Sequence, residues 1–448
     1  MRSARRVTGA MAPLALAALA ALASCADIEA DAVRPEVPMW VSRPSGAMSV
    51  EARRPLTAPE RASGEEYERG RPEIDPEHGR VFVGSSDRGL YALRASNLST
   101  IWRFETVGAV QSEPLYDGEL DYVYFGSHDG ALYCVRAADG HLVFRFNSGA
   151  EIARKPVRDG ERVIFANAAD QLFAINRRTG KLDWHQHRTP ALNMEIAGYA
   201  GPTLDQDTVL IAYSDGTLHA YQTKGGDEKW MVDLAAEAER AVGGEQERYL
   251  DVDTTPVLDV QASGTRVVYV ASYTGGVFAR DASNGTAMWR NEKLVGVTDL
   301  VLWEEREHPP NPDSNQRGTG IIPARKYLLA SSATSGLTAI DPLTGKKVWQ
   351  VAVPEGGVTA AVPVAGALLV GTSRYGLFAL SPLNGKIMDG LDVGTGFSAT
   401  PAVYGHKGFA LSNGGTMIAV KVRPPVVRTG AEAEEEERRM REELERRR

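Results

Sequence analysis

An all-β fold, an eight-bladed β-propeller of four-stranded antiparallel blades closed by an N-terminal strand, is predicted by three observations. One small-apolar strand recurs eight times, a β-rich strand ending in small residues comes before it, and a glycine turn leading to an aromatic usually follows. Four-stranded units repeating every ~40–60 residues are the mark of a propeller.

The recurring strand is clearest at Gly130-Ala131-Leu132-Tyr133-Cys134-Val135. It returns at Gly89-Leu90-Tyr91, Gln171-Leu172-Phe173, Gly216-Thr217-Leu218, Gly276-Val277-Phe278, Gly336-Leu337-Thr338, Gly376-Leu377-Phe378 and Gly415-Thr416-Met417. The strand before it reads as Val81-Phe82-Val83-Gly84-Ser85, Val123-Tyr124-Phe125-Gly126-Ser127 or Leu369-Val370-Gly371-Thr372-Ser373. A proline usually opens a further strand: Pro72, Pro114, Pro156, Pro202, Pro256, Pro363 and Pro401. Proline is tolerated there because the first residue of a strand can lack its N–H. After the repeat come turns such as Thr179-Gly180-Lys181 and Thr344-Gly345-Lys346, where glycine supplies a positive φ.

The aromatic after the turn forms a column: Trp102, Phe144, Trp184, Trp230, Trp289 and Trp349, with Met388 near that place in the seventh unit. The eighth unit ends at Val422 with three strands and no tryptophan. Val37-Pro38-Met39-Trp40-Val41-Ser42 is expected to supply the missing strand, with Trp40 as the eighth docking residue, and so to remove the open sheet edges. Three segments fall outside the repeat: an extended loop over 235–250, an insertion in the sixth blade over 304–325, and a charged tail from Ala431. The tail holds eight glutamates and six arginines, and reads equally as frayed chain or as a solvated helix.

The N-terminus is expected to lie outside the fold. Arg2, Arg5 and Arg6 precede an Ala/Leu-rich run over 10–23 that stops at Leu22-Ala23-Ser24-Cys25. That order is a secretory signal, shorter than the roughly 20 apolar residues of a membrane span. Leu-Ala-Ser-Cys matches the bacterial lipobox, which makes Cys25 the lipidation site and, with two or more acyl chains, a stable anchor. Ala26, where an aspartate would retain the chain in the inner membrane, points to the outer membrane and its periplasmic face. The expected divisions are a signal peptide over 1–24, a lipidated tether over 25–36, the propeller over 37–423 and the tail over 424–448.

With Cys25 acylated, Cys134 has no partner for an intrachain disulfide. The net charge of −8 becomes about three units more negative once the signal is removed. Such a surface argues against nucleic acid as a partner.

The glycine-turn and tryptophan repeat is similar to that of quinoprotein-type propellers and lacks the punctuation of WD40 blades. Together with the lipobox it resembles the BamB family, the lipoproteins of the outer-membrane β-barrel assembly machinery, from Cys25 to about Val422. The most specific piece is Asp251-Val252-Asp253-Thr254-Thr255-Pro256-Val257 after Glu247-Arg248-Tyr249-Leu250. The resemblance implies a non-catalytic scaffold that docks on the POTRA domains of BamA and assists unfolded outer-membrane proteins, its clients. Asp251 and Asp253 would belong to the docking face, unless they cap turns. So would Leu192 and Met194 in Ala191-Leu192-Asn193-Met194-Glu195, where Glu195 stands in place of the family's arginine. A carboxylate there cannot keep a guanidinium's ion pair.

No catalytic residue, metal or cofactor is expected. His185 and His187 would share one strand face, but nothing nearby completes the three or four ligands of a zinc site. Nucleophile-elbow, phosphate-loop and zincin motifs are absent. The alternative reading is a periplasmic quinone-dependent dehydrogenase or a carbohydrate-binding propeller. Against the first, there is no adjacent cysteine pair and no calcium-ligand constellation.

Overall fold

The computed structural model describes residues 46–56, 67–189, 200–242, 251–306, 324–352, 356–392 and 394–423. They form eight four-stranded antiparallel sheets, an all-β propeller. Blade 1 is typical, with strands Glu73–Asp75, Arg80–Gly84, Gly89–Arg94 and Thr100–Glu105 from the axis outward. The first strands of neighbouring blades meet around the axis. The two middle strands are buried on both faces by adjacent blades, which is why they read as continuous apolar runs. Six of the seven prolines stand immediately before an innermost strand, whereas Pro363 lies inside Val362–Val364.

Outermost strands lock each blade to the next. The indole Nε1 of Trp102 donates to Ala137 O (3.0 Å), Trp184 to Thr223 O (2.8 Å), Trp230 to Ala282 O (3.2 Å), Trp289 to Pro342 O (2.9 Å) and Trp349 to Pro382 O (3.0 Å). The ring lies on the turn glycine of the receiving blade. A Cβ at Gly345, which has φ +69°, would sit 2.5 Å from the Trp289 ring, so the turn needs glycine twice over. Phe144 has no N–H to give. There the carbonyl of Arg177 accepts from the Tyr124 hydroxyl instead, at 2.7 Å and fully buried. Tyr124→Phe is therefore expected to strand that carbonyl and cost about 1–3 kcal/mol. Urea unfolding would measure it, and an unchanged midpoint would mean that the hydroxyl is dispensable.

Closure by an N-terminal strand holds, but the strand is a different one. Met48–Pro55 forms the outer edge of the eighth sheet, running from Met48 opposite Val422 to Pro55 opposite Thr416. Met48 and Val50 face the core, the Arg423 N–H donates to Ala47 O (2.8 Å), and the Met48 N–H donates to Asp389 Oδ2 (2.8 Å). Residues 37–42 and Trp40 lie outside the described residues.

The last two places of the aromatic column are also corrected. Every complete outermost strand carries a one-residue bulge, and the tryptophans pair with the alanine of the third strand, as in Ala174↔Trp184. By that register the seventh place is Asp389, opposite Ala379, and the eighth is Ala52, opposite Ala419. Asp389 adjoins the blade whose glycine turn is missing, and its carboxylate holds the closing strand. Ala52 meets Leu98, which takes the glycine's place in the turn between the third and outermost strands of blade 1 and is fully buried at φ 60°. A small residue has replaced the indole, and a large one the glycine.

Two of the irregular segments differ from expectation. Within 235–250 there is a helix, Leu234–Val242, where a loop was expected. Asp233 caps it by accepting from the Ala236 N–H (2.8 Å), and Leu234 and Ala238 pack one turn apart into the core. The sixth-blade insertion starts later than expected, because Val297–Glu305 and Arg325–Ser332 pair as far as Glu305↔Arg325, with Trp303 stacked on Tyr327 at 5.3 Å. Cys25 and the tail over 424–448 lie outside the described residues. Among those described, no helix is long and apolar enough to cross a membrane.

Candidate docking segment and axial ring

Residues 251–255 connect the helix-bearing loop to the innermost strand of blade 5, Val257–Val260. The segment is held from several sides. Val252 is fully buried in the core shared by blades 4 and 5, and its N–H faces Tyr213 O at 3.4 Å. Thr254 splints it to the next strand, its hydroxyl donating to Ala271 O (3.1 Å) and accepting from the Ala271 N–H (2.7 Å). Thr255 Oγ1 accepts from the Gly201 N–H (2.9 Å), and the Thr203 hydroxyl donates to Pro256 O (2.6 Å).

Asp251 and Asp253 project from either side of Val252. Asp251 is buried and Asp253 half-buried. Burial first, and then the neighbouring Asp251 carboxyl, push the Asp253 carboxyl up to about 9, while Arg154 pulls the other way. The pair therefore retains a proton at neutral pH. Asp170, itself buried, adds a third carboxylate whose charge is felt at Asp253, and its own oxygens accept from the Ser214 hydroxyl and N–H. This acidic corner, on loops of blades 3, 4 and 5, suits a cationic partner group. Leu192, Met194 and Glu195 fall in the connection between blades 3 and 4, outside the described residues.

A ring of charge lies beside it around the axis. The residue just before the proline in blades 1, 2 and 3 is Arg71, Glu113 and Lys155, and Asp299 holds the same register in blade 6, where no proline marks it. Asp299 Oδ1 receives Arg71 Nη2 at 2.9 Å and lies 3.9 Å from Arg154 Nη1. Arg71 also reaches Glu113 (3.6 Å), and Lys155 pairs with Glu73 (2.6 Å). Burial works to lower the Arg71 and Lys155 pKa values, but the facing carboxylates outweigh it and hold both cations above their ordinary range. Burial likewise pushes the Glu73 carboxyl up against the pull of Lys155. Sequence reasoning missed this ring, although charges beside the prolines of an axis-lining strand were a signal for it.

Other constellations are structural. Asp75, His78 and Asp121 converge as a metal site would, but Arg80 already supplies their cation: its Nε lies 2.6 Å from Asp75, and its Nη2 pairs with Asp121. His185 and His187 lie on the solvated outermost strand Leu182–His187, with His185 stacked on Phe173 at 6.0 Å. Cys134 is fully buried, and burial holds its thiol far above the usual range.

The family model for the outer membrane protein assembly factor BamB matches residues 119–308 and 333–424, more than half of the chain. The chain belongs to the BamB family. BamB of Legionella pneumophila (strain Paris) is 25% identical over 237 residues, which are 53% of this chain and 53% of that protein. The match thus spans about half of that relative's length. BamB of Moraxella catarrhalis superposes with TM-score 0.63 at 19% identity, over 84% of this chain and 99% of that one. A quinohemoprotein alcohol dehydrogenase from Comamonas testosteroni shares the propeller with TM-score 0.57 at 15% identity, over 86% of this chain and 78% of that one. At such identities the superpositions speak for the fold alone. The BamB family is named for assembling proteins and not for a reaction it catalyses.

Proposed function

We propose that the chain is a lipid-anchored, non-catalytic scaffold of the outer-membrane β-barrel assembly machinery. Anchored through Cys25 on the periplasmic face of the outer membrane, it docks on the POTRA domains of BamA and assists the folding and insertion of outer-membrane proteins. Membership of the BamB family carries this reading. The docking face is assigned to residues 251–255, with Asp251 and Asp253 as the acidic contacts, and Leu192, Met194 and Glu195 are proposed as further contacts. The carboxyl pair supports that assignment, because two acids packed together with one proton favour a cation that could displace it. Clients would be held as extended strands along sheet edges or loops.

Affinity purification of the full chain from detergent-solubilised envelopes tests the reading. BamA is expected to co-purify. If BamA is not recovered and added pyrroloquinoline quinone restores dye-linked dehydrogenase activity, the scaffold reading fails.

A further inference from the structure

We propose that Arg154 is a positioning residue for the docking segment, and that Asp299 and Arg71 fix its pose from across the axis. The inference rests on the docking reading above. Two places before the proline, blades 1, 2, 4 and 5 carry Gly70, Ser112, Ala200 and Thr254. Small residues suit this place because the backbone passes close to the second strand: a Cβ at Gly70 would fall 2.0 Å from Gly84 O. Ser112 and Thr254 use the proximity, bonding to Gly126 and Ala271. Blade 3 alone among these five has a long cation, Arg154.

Its guanidinium serves neighbours outside its own blade. Nη2 donates to the main-chain oxygen of Asp253 (3.1 Å) in the lead-in to blade 5, while Nη1 lies 3.9 Å from Asp299 Oδ1 in blade 6. The rigid planar fork can face both at once, which a single ammonium cannot. Asp299 is in turn held by Arg71 of blade 1 at 2.9 Å, and Arg71 reaches Glu113 of blade 2. A contact on the docking segment therefore continues as a chain of charged groups through blades 3, 6, 1 and 2. The main-chain oxygen that Arg154 grips belongs to Asp253, so its hold sets where that carboxyl sits relative to Asp251. Without the Asp299 charge, Arg154 and Arg71 would converge as like charges in a half-buried place, and the grip on Asp253 O would loosen.

Hydrogen–deuterium exchange on the full chain, read with the thermal midpoint, tests the proposal. Arg154→Met and Asp299→Asn are both expected to speed exchange at residues 251–255 about tenfold, with the middle strands of blades 4 and 5 unchanged. Arg154→Lys keeps the charge and loses the fork, and is expected to exchange as fast as Arg154→Met. Capture of purified BamA POTRA domains should weaken in the same variants. Should Arg154→Met unfold the ring, Asp299→Asn carries the test, since it changes one group and preserves shape. Unchanged exchange at 251–255 in Asp299→Asn overturns the proposal, and so does faster exchange with POTRA capture equal to the wild type. If the wild type itself captures no POTRA domains, the docking reading falls, while the exchange measurement still decides whether Arg154 orders the segment.

Discussion

Asp253→Asn is expected to make the propeller more stable at pH 8 and to make its docking weaker. The folded-state carboxyl is raised to about 9, whereas in the unfolded chain it titrates near its ordinary value of 3.8. A raised acid stabilises the fold fully below the lower value, and that contribution is lost as pH rises through the upper one. Wild-type stability should therefore fall across the window from about pH 4 to about pH 9, and the asparagine variant should be free of this slope. Three pH units inside the window correspond to at most about 4 kcal/mol, and screening at a half-exposed group reduces this to about 2 kcal/mol. Urea midpoints of both proteins at pH 5, 6.5 and 8 would show the gap widening with pH. Parallel curves would dismiss the raised carboxyl. Binding to BamA POTRA domains should move the other way, because one of the two acidic contacts is gone. Opposite signs separate a functional carboxylate from a turn cap, since asparagine keeps the capping oxygen and would leave both stability and docking nearly unchanged.

The second large effect concerns the pair where the ring closes. Ala52→Trp alone is expected to force an indole against Leu98 and cost about 1–3 kcal/mol. Leu98→Gly alone relieves a left-handed leucine but leaves a cavity, for a net cost of about 2 kcal/mol. Together they rebuild the arrangement of Trp184 with Gly226, in which the glycine Cβ position lies 2.7 Å from the ring. The new indole N–H would face the carbonyl of Ala95, the counterpart of Ala137. The double variant should regain most of both losses, a coupling of about 3 kcal/mol in a double-mutant cycle of thermal midpoints. Additive losses would show that the two positions do not exchange volume.

The same two residues show what a single sequence conceals. Middle strands and glycine turns were legible because burial on both faces and positive φ restrict composition locally. Ala52 and Leu98 are each unremarkable alone, and they make sense only as neighbours brought together by a ring that joins the chain's beginning to its first blade. Asp389 was missed by one residue in favour of Met388, because the outer-strand bulge shifts the register by one. The helix Leu234–Val242 escaped notice since nine residues give only about two and a half turns of pattern. In the proposed docking region Asp251 and Asp253 were singled out through family resemblance. Arg154 and Asp299 could not be, because strand periodicity does not say which blades face each other across an axis.

The closing strand also orders events in time. Met48 pairs with Val422, so the eighth sheet cannot be completed until nearly all of the chain is available. Joining such distant ends costs about 2.6 kcal/mol more loop entropy than closing a local ~20-residue hairpin, which makes it a natural last step in folding. Until then Thr416–Val422 is an unpaired edge, open to any extended chain. For a protein expected to work among unfolded β-barrel precursors, Met48–Pro55 is then a competitor as well as a clasp: it occupies in advance an edge on which a client strand could otherwise complete the eighth sheet.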